Sequence, residues 1–247
     1  MKKTIFIFSI LVAGLFMTSC LGEVSNSYTD SSFVYIEMSD DGTMFGKTIS
    51  PYSHTRLITH SNMIMMNPGS IKVMNYNWEE SYGTTTMRLD GDTFHADNVN
   101  LSGEPADISN VTLRMTELPE IEDPNDFIEI LPPIYADNKD FMGDKWIFQY
   151  AYKAKKGENA VVEFYKRNDD EENGDKIIID INITLVGTPD GTATEDRADA
   201  IALNMSPLRY EYEGTSQTET KRLEVQFKYL VNGQPVTLPA ASFTVAK

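Results

Sequence analysis

Lys176-Ile177-Ile178-Ile179-Asp180-Ile181-Asn182-Ile183-Thr184-Leu185-Val186 decides the fold class. In an extended chain successive side chains point to opposite faces, so Ile177, Ile179, Ile181, Ile183 and Leu185 share one face. Residues 222–231 repeat the pattern. Leu223, Val225, Phe227 and Tyr229 fall on one side, and Glu224, Gln226 and Lys228 on the other. Asn232-Gly233 follows at once, and this dipeptide favours the left-handed backbone of a tight hairpin turn. Residues 145–153 read as a further strand carrying Trp146, Phe148, Tyr150 and Tyr152. Residues 160–166 make a hairpin with 176–186, and Ala241–Ala246 is the closing strand. Only residues 194–205 read as a short helix.

The first half has the same style in shorter pieces. Runs at 33–38, 55–66, 70–77, 84–89 and 110–116 are rich in β-branched, aromatic and Met residues. Asp41-Gly42, Asn67-Pro68-Gly69, Tyr82-Gly83, Asp90-Gly91 and Ser102-Gly103 punctuate them as turns. Short strands at such spacing predict a small barrel or sandwich. Between the halves, residues 117–140 hold eight acids, one base and four prolines. Proline removes ladder donors and like charges repel, so this stretch reads as a connection, not a central strand. The expected organisation is therefore all-β: a barrel domain at 33–116, an acidic Pro-rich linker at 117–140 and a β-sandwich at 141–247.

Residues 1–19 have the layout of a secretory signal. Lys2 and Lys3 precede an apolar run from Ile5 to Phe16, then Met17-Thr18-Ser19-Cys20. The run is shorter than the roughly 20 residues a spanning helix needs. The small residues before Cys20 resemble the lipobox of bacterial lipoproteins, in which the cysteine carries the lipid. Acyl chains there would anchor the protein at about 0.8 kcal/mol per buried methylene. Residues 20–32 read as a polar tether. Glu23 is the one acid just after Cys20, which leaves the periplasmic and the outer face of the outer membrane both as expectations.

The 247 residues carry a net charge of −16, and losing Lys2 and Lys3 with the signal makes it −18. Nucleic acid is held by Lys and Arg against phosphates, so this balance excludes it as the expected partner. A single cysteine excludes a disulfide framework. His54, His60 and His95 are too scattered for a zinc site, and no metal or other cofactor is expected. No nucleophile elbow, zinc-protease motif or phosphate loop is present, so no catalytic residue is assigned and the chain is not read as an enzyme. The acidic loop 168–175 loosely follows a calcium-loop pattern. Asn173-Gly174 makes it a solvated hairpin turn in the favoured reading. Tyr76, Trp78 and Tyr82 are the candidate ligand-binding residues, as a stacking platform for a glycan or a partner protein.

The lipobox, the tether, the short-strand half and the acidic connection lead into Ile177–Ile183 with Thr184-Leu185-Val186, then Ala202-Leu203 and Leu223–Tyr229. Together these resemble the NigD-like lipoproteins of anaerobic Gram-negative bacteria. The resemblance implies an N-terminal OB-like barrel and a C-terminal β-sandwich, with no established activity and no site residue. The functional expectation is a non-catalytic, lipid-anchored envelope protein that binds a protein partner or glycan. The alternative is a structural or adhesive fimbria-like subunit that assembles by strand exchange through Ala241–Ala246.

Overall fold

The computed structural model describes residues 26–49, 54–121, 124–136, 139–168, 176–216 and 218–247. The alternating runs form strands and the fold is all-β, with three sheets among the described residues. The first sheet contains β1 (Ser27–Met38), β2 (Met44–Ile49), β3 (Leu57–Thr59), β4 (Ile71–Glu79), β5 (Thr84–Leu89), β6 (Asp92–Asn98), β7 (Asn100–Leu101) and β8 (Ala106–Asp107). Its order is β5-β6-β3-β2-β1-β4-β7, with β8 also on β4. All pairs are antiparallel except β3·β6. A three-residue 3₁₀ turn, Glu80–Tyr82, joins β4 to β5, although they lie far apart along the path. The sheet must therefore curl back on itself. β4 and β5 share no ladder, so the expected barrel is an open one.

Val34, Ile36, Ile58, Met63, Met74, Tyr76 and Val99 form the core inside that curl. Gly46 leaves room there for the Val34 side chain. A Cβ at this position would lie 2.3 Å from Val34 Cγ1. β1 begins at Ser27, inside the stretch read as tether, and Ser27 to Ser32 pair in register with Glu79 to Met74. Polar side chains disguised this segment, because a ladder is made by backbone groups that sequence hydrophobicity does not report.

The second half is a sandwich. One sheet holds β9 (Ser109–Thr112), β10 (Phe127–Ile130), β11 (Lys145–Lys155) and β14 (Thr194–Asn204), in the order β10-β11-β14-β9. The other holds β12 (Glu158–Lys166), β13 (Lys176–Gly187), β15 (Thr220–Val231), β16 (Gln234–Thr237) and β17 (Ala241–Ala246). There β16 and β17 both pair with β15. The period-two reading of β13 is met side chain by side chain: Ile177, Ile179, Ile181 and Ile183 are buried. Rings from the two sheets meet across the core, with Phe148 and Phe227 4.8 Å apart between centroids and Phe148 and Phe164 5.0 Å apart.

Two short helices, α1 (Lys139–Met142) and α2 (Ser206–Tyr212), complete the second half. Residues 194–205 are a correction to the expected helix. Alanines and acids gave them helical character, but β14 pairs with β11 along its whole length. Tertiary pairing overrides a weak local preference. The helix begins just after, at Ser206, with Pro207 in its first turn, where a missing N–H costs nothing. β10 lies within the acidic 117–140 stretch as an edge strand, and β9 pairs parallel with β14 in the sandwich.

The halves meet through a further apolar cluster. Ile49, Ile71 and Ile108 pack with Met142, Ile147 and Ala202. Several strands thus bury both faces. Trp146 and Phe148 point into the sandwich core, while Ile147 between them points at the first half.

Candidate functional site

The three aromatic candidates are placed differently by β4 and the turn after it. Tyr76 is fully buried. Its hydroxyl donates to Asp30 Oδ2 at 3.0 Å and lies 3.1 Å from Ser32 Oγ, whose proton it accepts. Burial pushes this phenol above its ordinary pKa. The ring is core, so Tyr76 offers no surface to a ligand. Met74 and Tyr76, two apart, face the same interior, and Trp78 packs against it. Trp78 is half-buried and donates its indole N–H to Gly83 O at 3.3 Å. Tyr82 is half-exposed in the 3₁₀ turn, and its carbonyl accepts from Asn98 Nδ2 at 3.0 Å.

Sequence reasoning missed Tyr28, the partner of Trp78. Their rings stack at 5.5 Å and 23°. The Arg56 guanidinium lies over the Tyr28 ring, 3.9 Å from its centroid. The Tyr28 hydroxyl donates to Asp97 Oδ2 at 2.8 Å, and burial followed by that bond raises its pKa. Tyr28 is thus engaged by Trp78, Arg56 and Asp97 together, and its ring is already spent on contacts within the protein.

A groove of about 400 Å³ opens elsewhere on the first half. One wall is the 39–43 turn between β1 and β2, represented by Gly42 and Thr43. The other is a 3₁₀ turn, Ser61–Met65, represented by Ser61 and Ile64. Met44, Thr59, Thr85 and Asn98 make the floor. Much of the floor's hydrogen bonding is already spent internally. Thr59 Oγ1 donates to Met44 O at 2.8 Å, and Thr85 Oγ1 donates to Asn98 Oδ1 at 2.6 Å.

The Ser61–Met65 wall follows from its period. His60 Nδ1 accepts from Asn62 N at 3.1 Å and starts the turn. At three residues per turn, Met63 and Met66 point inward. Met63 is fully buried and Met66 packs on the core. Ile64 and Met65 are forced outward, 78% and 82% exposed. The opposite wall is held by carboxylates. Asp41 Oδ1 accepts from Ser39 Oγ and from Thr43 N, and these bonds lower its pKa below the ordinary carboxylate value. Asp40 Oδ2 accepts from Gly91 N at 3.1 Å, and Asp40 N donates to Arg88 O at 2.8 Å. The Asp90-Gly91 hairpin, with φ of +53° and +85°, is thereby clipped to the 39–43 turn.

The remaining sequence candidates do not assemble. His54 and His95 are exposed, and His60 caps its turn. No group of three or more His, Cys, Asp or Glu among the described residues is arranged to hold a metal ion. Cys20 and residues 169–175 of the acidic loop lie outside the described residues. Ala241–Ala246 is β17, with Ala241, Phe243 and Val245 buried in its own sandwich. A second hollow of about 650 Å³ lies between Tyr135, Lys176, Arg222 and Glu224, with charges of both signs.

No protein-family model matches the sequence, and a comparison with curated proteins finds no match. Solved structures do match. A protein from Parabacteroides merdae is 8% identical, with a TM-score of 0.53 over 88% of this chain and 100% of that one. A "putative lipoprotein" from Bacteroides fragilis is 10% identical, with a TM-score of 0.53 over 89% and 98%. A NigD-like immunity protein from Bacteroides caccae is 11% identical, with a TM-score of 0.48 over 87% and 96%. At such identities the likeness is one of fold.

Proposed function

We propose that the chain is a non-catalytic envelope protein, anchored in the outer membrane by lipid on Cys20, that binds a partner protein through the groove of its first half. The observation that carries this reading is the pair Ile64 and Met65, held out to solvent on the groove wall by the turn that buries Met63. Burying such a side chain is worth about 1.5–3 kcal/mol relative to leaving it exposed. Neighbouring exposed apolar groups beside a groove, unlike single scattered ones, suit an interaction surface. A protein is favoured over a glycan for two reasons. Thr59, Thr85 and Asn98 spend hydrogen bonds on one another or on backbone, and the Tyr28 ring is engaged by Trp78 and Arg56. The lipobox supplies the anchor, and the lipoprotein name of the Bacteroides fragilis neighbour points the same way.

Two readouts test the reading. Radiolabelled fatty acid should enter the protein and be lost in Cys20→Ala, which should leave the membrane fraction. A photo-crosslinking side chain placed at position 64 in intact cells should give one discrete protein adduct, with none from Val186 on the sandwich. Label retained in Cys20→Ala would contradict the anchor. Equal adducts from both positions, or none from 64, would contradict the binding surface.

A further inference from the structure

Four carboxylates crowd the end of the first half that carries the groove. Asp40 and Asp41 belong to the 39–43 turn, and Asp90 and Asp92 to the hairpin that Asp40 clips to it. All four are exposed. None has a cationic partner among the described residues. Arg88, exposed in the same hairpin, is the nearest base in sequence, and its carbonyl rather than its charge is what Asp40 engages. Apolar side chains share this end. Met38, 54% exposed, lies opposite Met44 in the β1·β2 ladder, so the two project to one face, and Met44 lines the groove. Ile64 lines it from the other side, with Met65 next to it.

We infer that this groove takes an extended segment of a partner protein that is both cationic and apolar, with its Lys or Arg against the aspartates and its apolar side chains against Met38, Ile64 and Met65. The inference rests on the partner-protein reading above and names the chemistry of that partner. Charge complementarity selects this occupant over the alternatives. A second copy docked face to face would bring a like set of carboxylates against these four, and any other face belongs to a chain of net charge −16, so repulsion opposes it. An anionic lipid surface is repelled by the same carboxylates. Methionine, flexible and polarisable, suits a surface that adapts to varied apolar side chains. The aspartates add electrostatic steering, which speeds encounter and falls with ionic strength.

The full lipidated protein in zwitterionic nanodiscs is the sample, and the probe is a fluorescent peptide alternating lysine and leucine. Empty nanodiscs supply the background, and melting curves confirm that each variant is folded. Saturable binding is expected, with affinity falling as salt rises. Ile64→Ser with Met65→Ser should weaken it about tenfold or more. Asp40→Asn with Asp90→Asn should flatten the salt dependence. Peptides alternating glutamate with leucine, or lysine with serine, should bind about tenfold more weakly or worse. Unchanged binding by both double variants would show that overall acidity alone holds the peptide, and would overturn the inference. So would absence of binding, self-association of the protein in place of binding, or equal binding of the glutamate peptide. If position 64 still gives a protein adduct in cells while the lysine–leucine peptide fails, only the cationic chemistry falls. If position 64 gives no adduct, the partner-protein reading falls with it.

Discussion

The two halves solve opposite problems with the same secondary structure. In the sandwich, two sheets close over Trp146, Phe148, Phe164 and Phe227, and the rings fill the space between them. In the first half one sheet curls around a smaller core and leaves its rim open. The sandwich spends most of its large side chains on packing, with Tyr210 on α2 the large ring left exposed. The first half leaves Ile64, Met65 and Met38 in water beside a groove. What sets these three apart is that they gather beside a groove, since scattered apolar groups are ordinary on any surface. The contrast separates a scaffold from a recognition surface, and the apolar cluster of Ile49, Ile71, Met142 and Ile147 joins the two.

The comparison breaks most readily in the scaffold. Phe227 is fully buried and touches the rings of Trp146, Phe148 and Phe164. Phe227→Ala should cost about 3–5 kcal/mol in denaturant unfolding. A loss below about 1 kcal/mol would mean the site collapses and the core is not close-packed. Next comes the clamp of α2 on the sandwich. Arg209 donates from Nε and Nη2 to Asp144 at 2.7 and 2.6 Å, with both side chains nearly buried. Arg209→Met leaves Asp144 uncompensated and should cost about 3 kcal/mol.

The first half breaks at Gly46. A Cβ there meets Val34 and has no room, so Gly46→Ala should cost about 1–3 kcal/mol. Smaller still is the effect of protonating Asp41. Its pKa is lowered in the fold by hydrogen bonds from Ser39 and Thr43. The stabilisation is therefore present above its ordinary value of 3.8 and is lost as pH falls through the lowered one. Asp41→Asn should remove that component of acid sensitivity in melting curves taken below pH 3.8. Last, Ile64→Ser with Met65→Ser should change unfolding by no more than about 0.5 kcal/mol while it weakens binding. A large loss of stability would make these residues structural and dissolve the contrast.

Much of the scaffold was legible because its strands alternate. β13 and β15 declare their buried faces, and Asp90-Gly91 and Asn232-Gly233 take the positive φ their turns require. The failures share a cause: pairing partners distant in sequence. β14 has a helical composition but is held straight by β11. β10 sits among prolines and acids and works only as an edge. Ser27 to Ser32 look like tether until β4 lies beside them. Of the aromatic candidates, Tyr76 had the parity of a core residue, and parity alone could not separate a core face from a platform. The groove was hidden for a different reason. Residues 60–66 read as part of a strand, while their 3₁₀ period is what turns Ile64 and Met65 outward.

Amide hydrogen exchange of the lipidated protein, with and without the lysine–leucine peptide, tests the division of labour most directly. Slower exchange is expected only at residues 39–44 and 60–66, with β11, β13 and β15 unchanged. Protection centred on the sandwich strands, or none at the two groove walls, would contradict that division.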